Sequence, residues 1–101
     1  MSDLAQLPRR RAVDEYRDQV LTIVERHGGR AVSLFGSVAR GDENAESDVD
    51  FLVTMRDGAS LFDIIRMQDA LAELLGFEVD VVERAGLKHR DRDILDDAIE
   101  L

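Results

Sequence analysis

Apolar residues recur early in the chain at three- and four-residue intervals, as Val13, Tyr16, Val20, Ile23 and Val24, which places them on one face of a helix. Pro8 stands just before this pattern and Gly28-Gly29 ends it, glycine being favoured just past a helix C-terminus. The period then shortens. Ala31-Val32-Ser33-Leu34-Phe35 reads as a first strand, and a short helical turn is expected from Ser37, ahead of a polar loop over residues 41–47. Residues 48–54, dominated by β-branched and aromatic side chains, read as a second strand. Asp57-Gly58 makes a turn and Ser60 is a good N-cap for the next helix. Leu61, Ile64, Ile65, Leu71, Leu74 and Leu75 give that helix a buried face, and Gly76 stops it. Residues 77–82 form a third apolar stretch, interrupted by Asp80. Leu87, Ile94, Leu95, Ala98 and Ile99 then predict a last short helix.

The order is helix, strand, short helix, strand, helix, strand, helix. A helical crossover between the second and third strands requires them to be parallel, with a right-handed connection. The tight connection between the first and second favours antiparallel pairing. The expectation is therefore an α/β (α+β) fold, a small mixed three-stranded sheet flanked by helices, with residues 1–101 as one domain.

Composition narrows the setting. The 101 residues hold no cysteine, which excludes disulfides and thiolate metal sites and fits a reducing compartment. No apolar run approaches the roughly 20 residues of a membrane span, and the N-terminus lacks a signal-peptide apolar stretch, so the expected location is cytoplasmic. Acidic residues number 22 against 13 basic, a net charge of −9. That balance disfavours stable nucleic-acid binding and favours a basic partner, or a substrate whose charge is masked by metal. The basic triplet Arg9-Arg10-Arg11 reads as a solvated helix start without assigned function. His27 and His89 suit helix-end and surface positions, and Met55 and Met67 suit core or edge packing.

The chemistry concentrates in residues 36–50, Gly-Ser-Val-Ala-Arg-Gly-Asp-Glu-Asn-Ala-Glu-Ser-Asp-Val-Asp. Gly36 lets the backbone approach a phosphate closely, and Ser37 at a helix start adds a hydroxyl beside free N–H groups. Arg40, inside the same short loop, is a candidate phosphate clamp, with Asp42 placed to orient it; Asp42, Glu43 and Glu46 otherwise read as solvated loop charges. Asp48 and Asp50 are two residues apart on a strand, so both carboxylates leave the same face. Asp80 is an acid inside an apolar strand, where an unpaired charge is costly. If its strand lies beside the second, Asp48, Asp50 and Asp80 form a site for one or two Mg²⁺ ions, for which Mn²⁺ can substitute. A phosphate cradle next to hard-cation ligands is what nucleotidyl transfer needs. The P-loop ending Gly-Lys-Ser/Thr and the Gly-x-Gly-x-x-Gly string are both absent.

Gly36-Ser37, ten intervening residues, and Asp48-Val49-Asp50 together resemble the signature of the DNA polymerase beta-like nucleotidyltransferase superfamily. The fuller strings Gly-Ser-Val-Ala-Arg-Gly-Asp and Ser-Asp-Val-Asp resemble its minimal branch, the MNT domains, over nearly the whole chain. The resemblance maps the family's third acid to Asp80. It implies transfer of AMP from ATP to a hydroxyl, and an antitoxin role toward a cognate, basic HEPN-type ribonuclease toxin whose tyrosine receives the AMP. On that reading Asp48, Asp50 and Asp80 are catalytic and metal-binding, Asp80 either completing a second metal site or acting as general base, and Gly36, Ser37 and Arg40 bind the nucleotide. Two other roles fit the same residues: an antitoxin that neutralises by binding alone, and a small-molecule nucleotidyltransferase of the aminoglycoside type.

Overall fold

The computed structural model describes residues 7–101. The helical period of the N-terminal segment is realised as two helices rather than one. Helix α1 (Pro8–Glu15) and helix α2 (Arg17–Arg26) meet at Tyr16, whose φ of −103° and ψ of 23° interrupt the helical path. The main chain stays bonded through the bend, Tyr16 N–H donating to the Ala12 carbonyl and Val20 N–H to that of Tyr16. Val13, Val20 and Val24 remain buried together, so the apolar spacing survives the kink.

Strands β1 (Gly29–Phe35), β2 (Val49–Met55), β3 (Val79–Glu83) and β4 (Ile99–Glu100) form one mixed sheet in the order β3-β2-β1-β4. β1 and β2 are antiparallel, joined by the one-turn helix α3 (Gly36–Arg40) and a loop. β2 and β3 are parallel, joined through helix α4 (Leu61–Leu75), as the connection lengths demand. The sheet thus has four strands where the sequence led us to expect three. Helix α5 (Arg92–Asp97) ends at Ala98, which is extended, and Ile99 pairs with Leu34 on β1 instead of continuing the helix. Leu101 N–H then donates to the Val32 carbonyl at 3.0 Å, and the Arg17 guanidinium donates to the Leu101 carbonyl. A two-residue strand carries too few side chains to show a period of two, which is why no alternation announces it.

Strand alternation sorts the sheet's two faces. Val32, Leu34, Val49, Phe51, Val53, Val79 and Val81 point into one core with Val13, Val20, Val24, Met67, Leu71 and Leu75. Phe35, Asp50, Leu52 and Asp80 have the opposite parity. On that second face Phe35 and Leu52 are buried, while α5 lies against β1 and α3 and the turn Arg84–Gly86 lies against β2. The cover is partial, and that decides the environment of Asp50.

Helix α4 begins as expected: Ser60 precedes it, and the Asp63 carboxylate accepts the Ser60 N–H at 2.8 Å. Its buried line, however, runs through Ile64, Met67, Leu71 and Leu75. Leu61 and Ile65, assigned above to the buried face, are 69% and 46% exposed beside exposed Phe62. Ile65 is one residue off the buried line and therefore about 100° around the helix, facing outward.

Gly29 is held by space. A Cβ there would sit 2.4 Å from Val24 Cγ1 and 3.0 Å from the Val24 carbonyl oxygen. We predict that Gly29→Ala costs about 1–3 kcal/mol in denaturant unfolding, the usual range for overpacking. Combined with Val24→Ala, the loss should be smaller than the sum of the two single losses, because the clashing methyl has gone. Strict additivity would rule out this account.

Candidate active site

The site is assembled by register. β1 ends with Phe35 opposite Asp50 of β2, and Asp50 lies beside Asp80 of β3. The next residue along the chain from Phe35 is Gly36, with φ of +76°. A Cβ at Gly36 would lie 2.4 Å from Asp50 Oδ2. Glycine is therefore required twice, for the left-handed backbone and for the room that the carboxylate takes.

Asp50 is half-buried on the second face of the sheet, while Asp48 and Asp80 are exposed. Burial is the largest influence on Asp50 and disfavours its charged form; the negative charges of Asp80 and Asp48 act in the same direction. Nearby Arg40 opposes them only in part, and the carboxyl is pushed up to about 6. The sequence-based grouping of Asp48, Asp50 and Asp80 thus appears as two acids side by side and a third within electrostatic reach. They are not a ready-made coordination shell: among the described residues, no three Asp, Glu or His side chains stand where they could already hold one ion. The donor chemistry nevertheless fits a hard divalent cation, since all three offer carboxylate oxygens and Asp50 carries repulsion that a cation would relieve.

Ser37 lies inside α3 rather than capping it; the residue at the cap position is Phe35, which has no side-chain hydrogen bond to offer. The Ser37 hydroxyl donates to Ser47 Oγ at 3.0 Å, and Ser47 Oγ also accepts the Asn44 N–H at 2.9 Å. Helix α3 closes at Gly41, with the N–H groups of Gly41 and Asp42 both donating to the Ser37 carbonyl at 3.0 Å. Arg40 is exposed and bonded to Asp42 Oδ2 at 3.3 Å, as its neighbour's position suggested, and to Asp97 Oδ2 at 2.7 Å. These two carboxylates, Asp97 first, raise the guanidinium's already high pKa further.

Sequence reasoning missed three participants. Asp97 reaches Arg40 across 57 residues of chain from an acidic tail that gives no signal of this role. Glu43 is buried, not a solvated loop charge, because Arg9 and the start of α1 close over it. Arg9, read as part of a solvated triplet, is packed over the Phe77 ring at 4.6 Å from its centroid. The signal available was the charge pairing of an isolated basic triplet with an acidic loop, and nothing local specified the contact.

Comparison with known proteins identifies the family and the fold. Residues 17–101 match the nucleotidyltransferase domain family. A Methanocaldococcus jannaschii protein, provisionally named a protein adenylyltransferase, is 36% identical over 90 residues, which span 88% of this chain and 97% of the relative. A solved structure described provisionally as a minimal nucleotidyltransferase superposes with a TM-score of 0.82 at 42% identity, over 91% of this chain and 95% of the other. The fold is also shared, at 16% identity and a TM-score of 0.67 over 86% of this chain and 69% of the other, with a structure of a tri-AMPylated Shewanella oneidensis HEPN toxin in complex with its MNT antitoxin. The chain belongs to the nucleotidyltransferase family, and its enzymatic class is nucleotidyl transfer.

The environment of Asp50 sets a pH dependence. Its folded-state pKa of about 6 exceeds the ordinary 3.8, so the folded protein holds this proton more tightly than the unfolded chain. That contribution to stability is complete below pH 3.8 and is lost as pH rises through about 6. At face value such a shift corresponds to about 3 kcal/mol, but a half-exposed group is screened, and about 1 kcal/mol is the realistic scale. In metal-free buffer, Asp50→Asn should therefore melt above wild type at pH 8, by a few degrees, with the gap closing toward pH 4. Melting curves recorded across that range check this, and a gap independent of pH would contradict it.

Proposed function

We propose that this domain transfers AMP from ATP to a hydroxyl, a tyrosine, of a cognate basic HEPN-type toxin, and that it serves as the antitoxin. The observation that carries the reading is the juxtaposition of Gly36 and Asp50, with Asp80 beside Asp50, at the end of β1 where α3 begins. The family membership, the adenylyltransferase name of a relative and the AMPylated toxin in a structural neighbour support it.

The phosphates would lie against Gly36, where no side chain intervenes, and against the first N–H groups of α3, which have no intrahelical partner. The Ser37 hydroxyl contributes a further hydrogen bond, and Arg40 balances charge on the departing pyrophosphate. Asp48, Asp50 and Asp80 would hold Mg²⁺ or Mn²⁺; when bound, such an ion supplies charge neutralisation for the triphosphate. The acceptor oxygen attacks the α-phosphorus, the bond to the bridging oxygen of the β-phosphate breaks, and pyrophosphate leaves. The acceptor's proton passes to a carboxylate, a role that fits Asp80, which is exposed directly beside Asp50. Positioning accounts for most of the remaining acceleration.

The partner completes the site. The partner would supply the acceptor, and a net charge of −9 steers this domain to a basic surface, more weakly at high salt.

Two outcomes follow. Intact mass spectrometry of the toxin after incubation with ATP, Mg²⁺ and this protein should show whole AMP additions. Asp48→Asn or Asp50→Asn should remove them, a loss of at least about a thousandfold, while the protein stays folded. Toxin neutralised without added mass, equally well by Asp48→Asn, would replace this reading with neutralisation by binding. Separately, millimolar Mg²⁺ with ATP should raise the melting temperature of wild type and not of Asp50→Asn. The same rise in both would remove Asp50 from the ligand set.

A further inference from the structure

Glu43 is the single buried charged residue among the described residues, and the reaction outlined above does not use it. Its side chain is 2% exposed and that of its partner Arg9 is 12% exposed. Glu43 Oε2 accepts the Arg9 N–H at 3.0 Å and Arg9 Nη1 at 3.3 Å, while Oε1 accepts the Arg10 N–H at 3.0 Å. The carboxylate thereby satisfies donors in the first turn of α1 that have no intrahelical partner, at the helix end where negative charge is favoured. Arg9 then returns to the loop. Its Nε donates to the Ser47 carbonyl at 2.7 Å and its Nη2 to the Ala45 carbonyl at 3.0 Å, with the guanidinium stacked on Phe77. One side chain therefore grips the loop at Glu43, Ala45 and Ser47 and ties it to the approach to β3.

What the loop carries makes this grip matter. Ser47 Oγ accepts from the Ser37 hydroxyl and from Asn44 N–H, and Ser47 directly precedes Asp48. Arg9, Ala45, Ser47 and Asp48 also line a hollow of about 320 Å³ next to Asp48. Helix α1 lies before residue 17, where the family match begins, so the grip comes from a segment outside the matched domain.

We infer that Arg9 and Glu43 are positioning residues: they clamp the loop between the Gly-Ser and Asp-x-Asp elements, and through Ser47 they set Ser37 for the nucleotide's phosphates. The inference rests on Gly36 and Ser37 being the phosphate-binding residues. A largely buried ion pair held by several hydrogen bonds tolerates little displacement, because losing either partner strands a buried charge. A polar loop released from it would spend only a fraction of its time in the binding arrangement, and affinity would fall by that fraction.

The test compares Arg9→Ala and Arg9→Lys with Val13→Ala, which removes core volume from the same helix without touching the loop. Two quantities are read: amide hydrogen exchange over residues 42–48, and titration with a non-hydrolysable ATP analogue plus Mg²⁺, well below every melting temperature. Arg9→Ala should exchange the loop amides at least tenfold faster and bind the analogue at least tenfold more weakly. Arg9→Lys keeps the charge but lacks the planar fork, and should resemble Arg9→Ala. Val13→Ala should leave loop exchange and affinity at wild-type values. Wild-type loop exchange in Arg9→Ala would overturn the clamp, as would a released loop with unchanged affinity, or an equal loss of affinity in Val13→Ala. Should Arg9→Ala fail to fold, Arg9→Lys carries the same comparison. A loop released in the variants while even wild type binds no analogue would overturn the phosphate reading of Gly36 and Ser37, and not the clamp.

Discussion

The architecture turns on one carboxylate placed where a carboxylate is costly. Asp50 leaves the second face of the sheet with buried Phe35 and Leu52 on the same side, directly beside Asp80 and with Asp48 two residues away. Burial and two like charges all oppose its ionisation. The fold gives up stability there, the usual signature of a functional position rather than a packing one. Gly36 is the other half of the same constraint, since any side chain at that position would occupy the place of Asp50 Oδ2.

Seen from Asp50, the remaining elements divide by face. The valine-rich face, closed by α2 and α4, provides rigidity, and its fully buried Val49, Phe51 and Val53 alternate with Asp50 and Leu52 along a single strand. Because the side-chain period of a strand is two, a one-residue slip of β2 would bury Asp50 in that core and expose Val49 and Phe51. Register is therefore enforced by the whole core, and the site inherits its precision. The second face is finished by the C-terminal segment. β4 pins that segment to β1, and α5 delivers Asp97 to Arg40. Arg40 is held there by two acids, so in the proposed role engaging a phosphate means exchanging one anionic partner for another.

How much of this was legible in the sequence depends on the range of the interaction. The Gly-Ser and Asp-x-Asp elements, the mixed sheet and the parallel pairing of β2 with β3 were readable, because periodicity, turn residues and connection length are local properties. β4 was not, since Ile99 and Glu100 give no pattern and acquire strand geometry only from the free edge of β1. The outward turn of Leu61 and Ile65 was missed for a related reason: an apolar residue reports helical phase only on average, and α4 places Ile64 rather than Ile65 toward the core. Arg9 with Glu43 and Arg40 with Asp97 are long-range charge pairs separated by 34 and 57 residues, for which a single sequence offers no register.

Those two ion pairs also differ in kind, and the difference says where the site is rigid and where it can move. Glu43 is buried and Arg9 nearly so, and several hydrogen bonds tie the pair to α1 and to the loop, so their geometry is fixed by the fold. Arg40 is exposed and Asp97 partly so, and pairs open to water hold with little net energy, so water, salt or a phosphate can displace them. The loop before Asp48 is thus built to stay still while Arg40 is free to change partner. On the proposed reading, a site that receives a highly charged nucleotide and then releases pyrophosphate gains from a fixed cradle with one exchangeable cation, which binds without trapping the product.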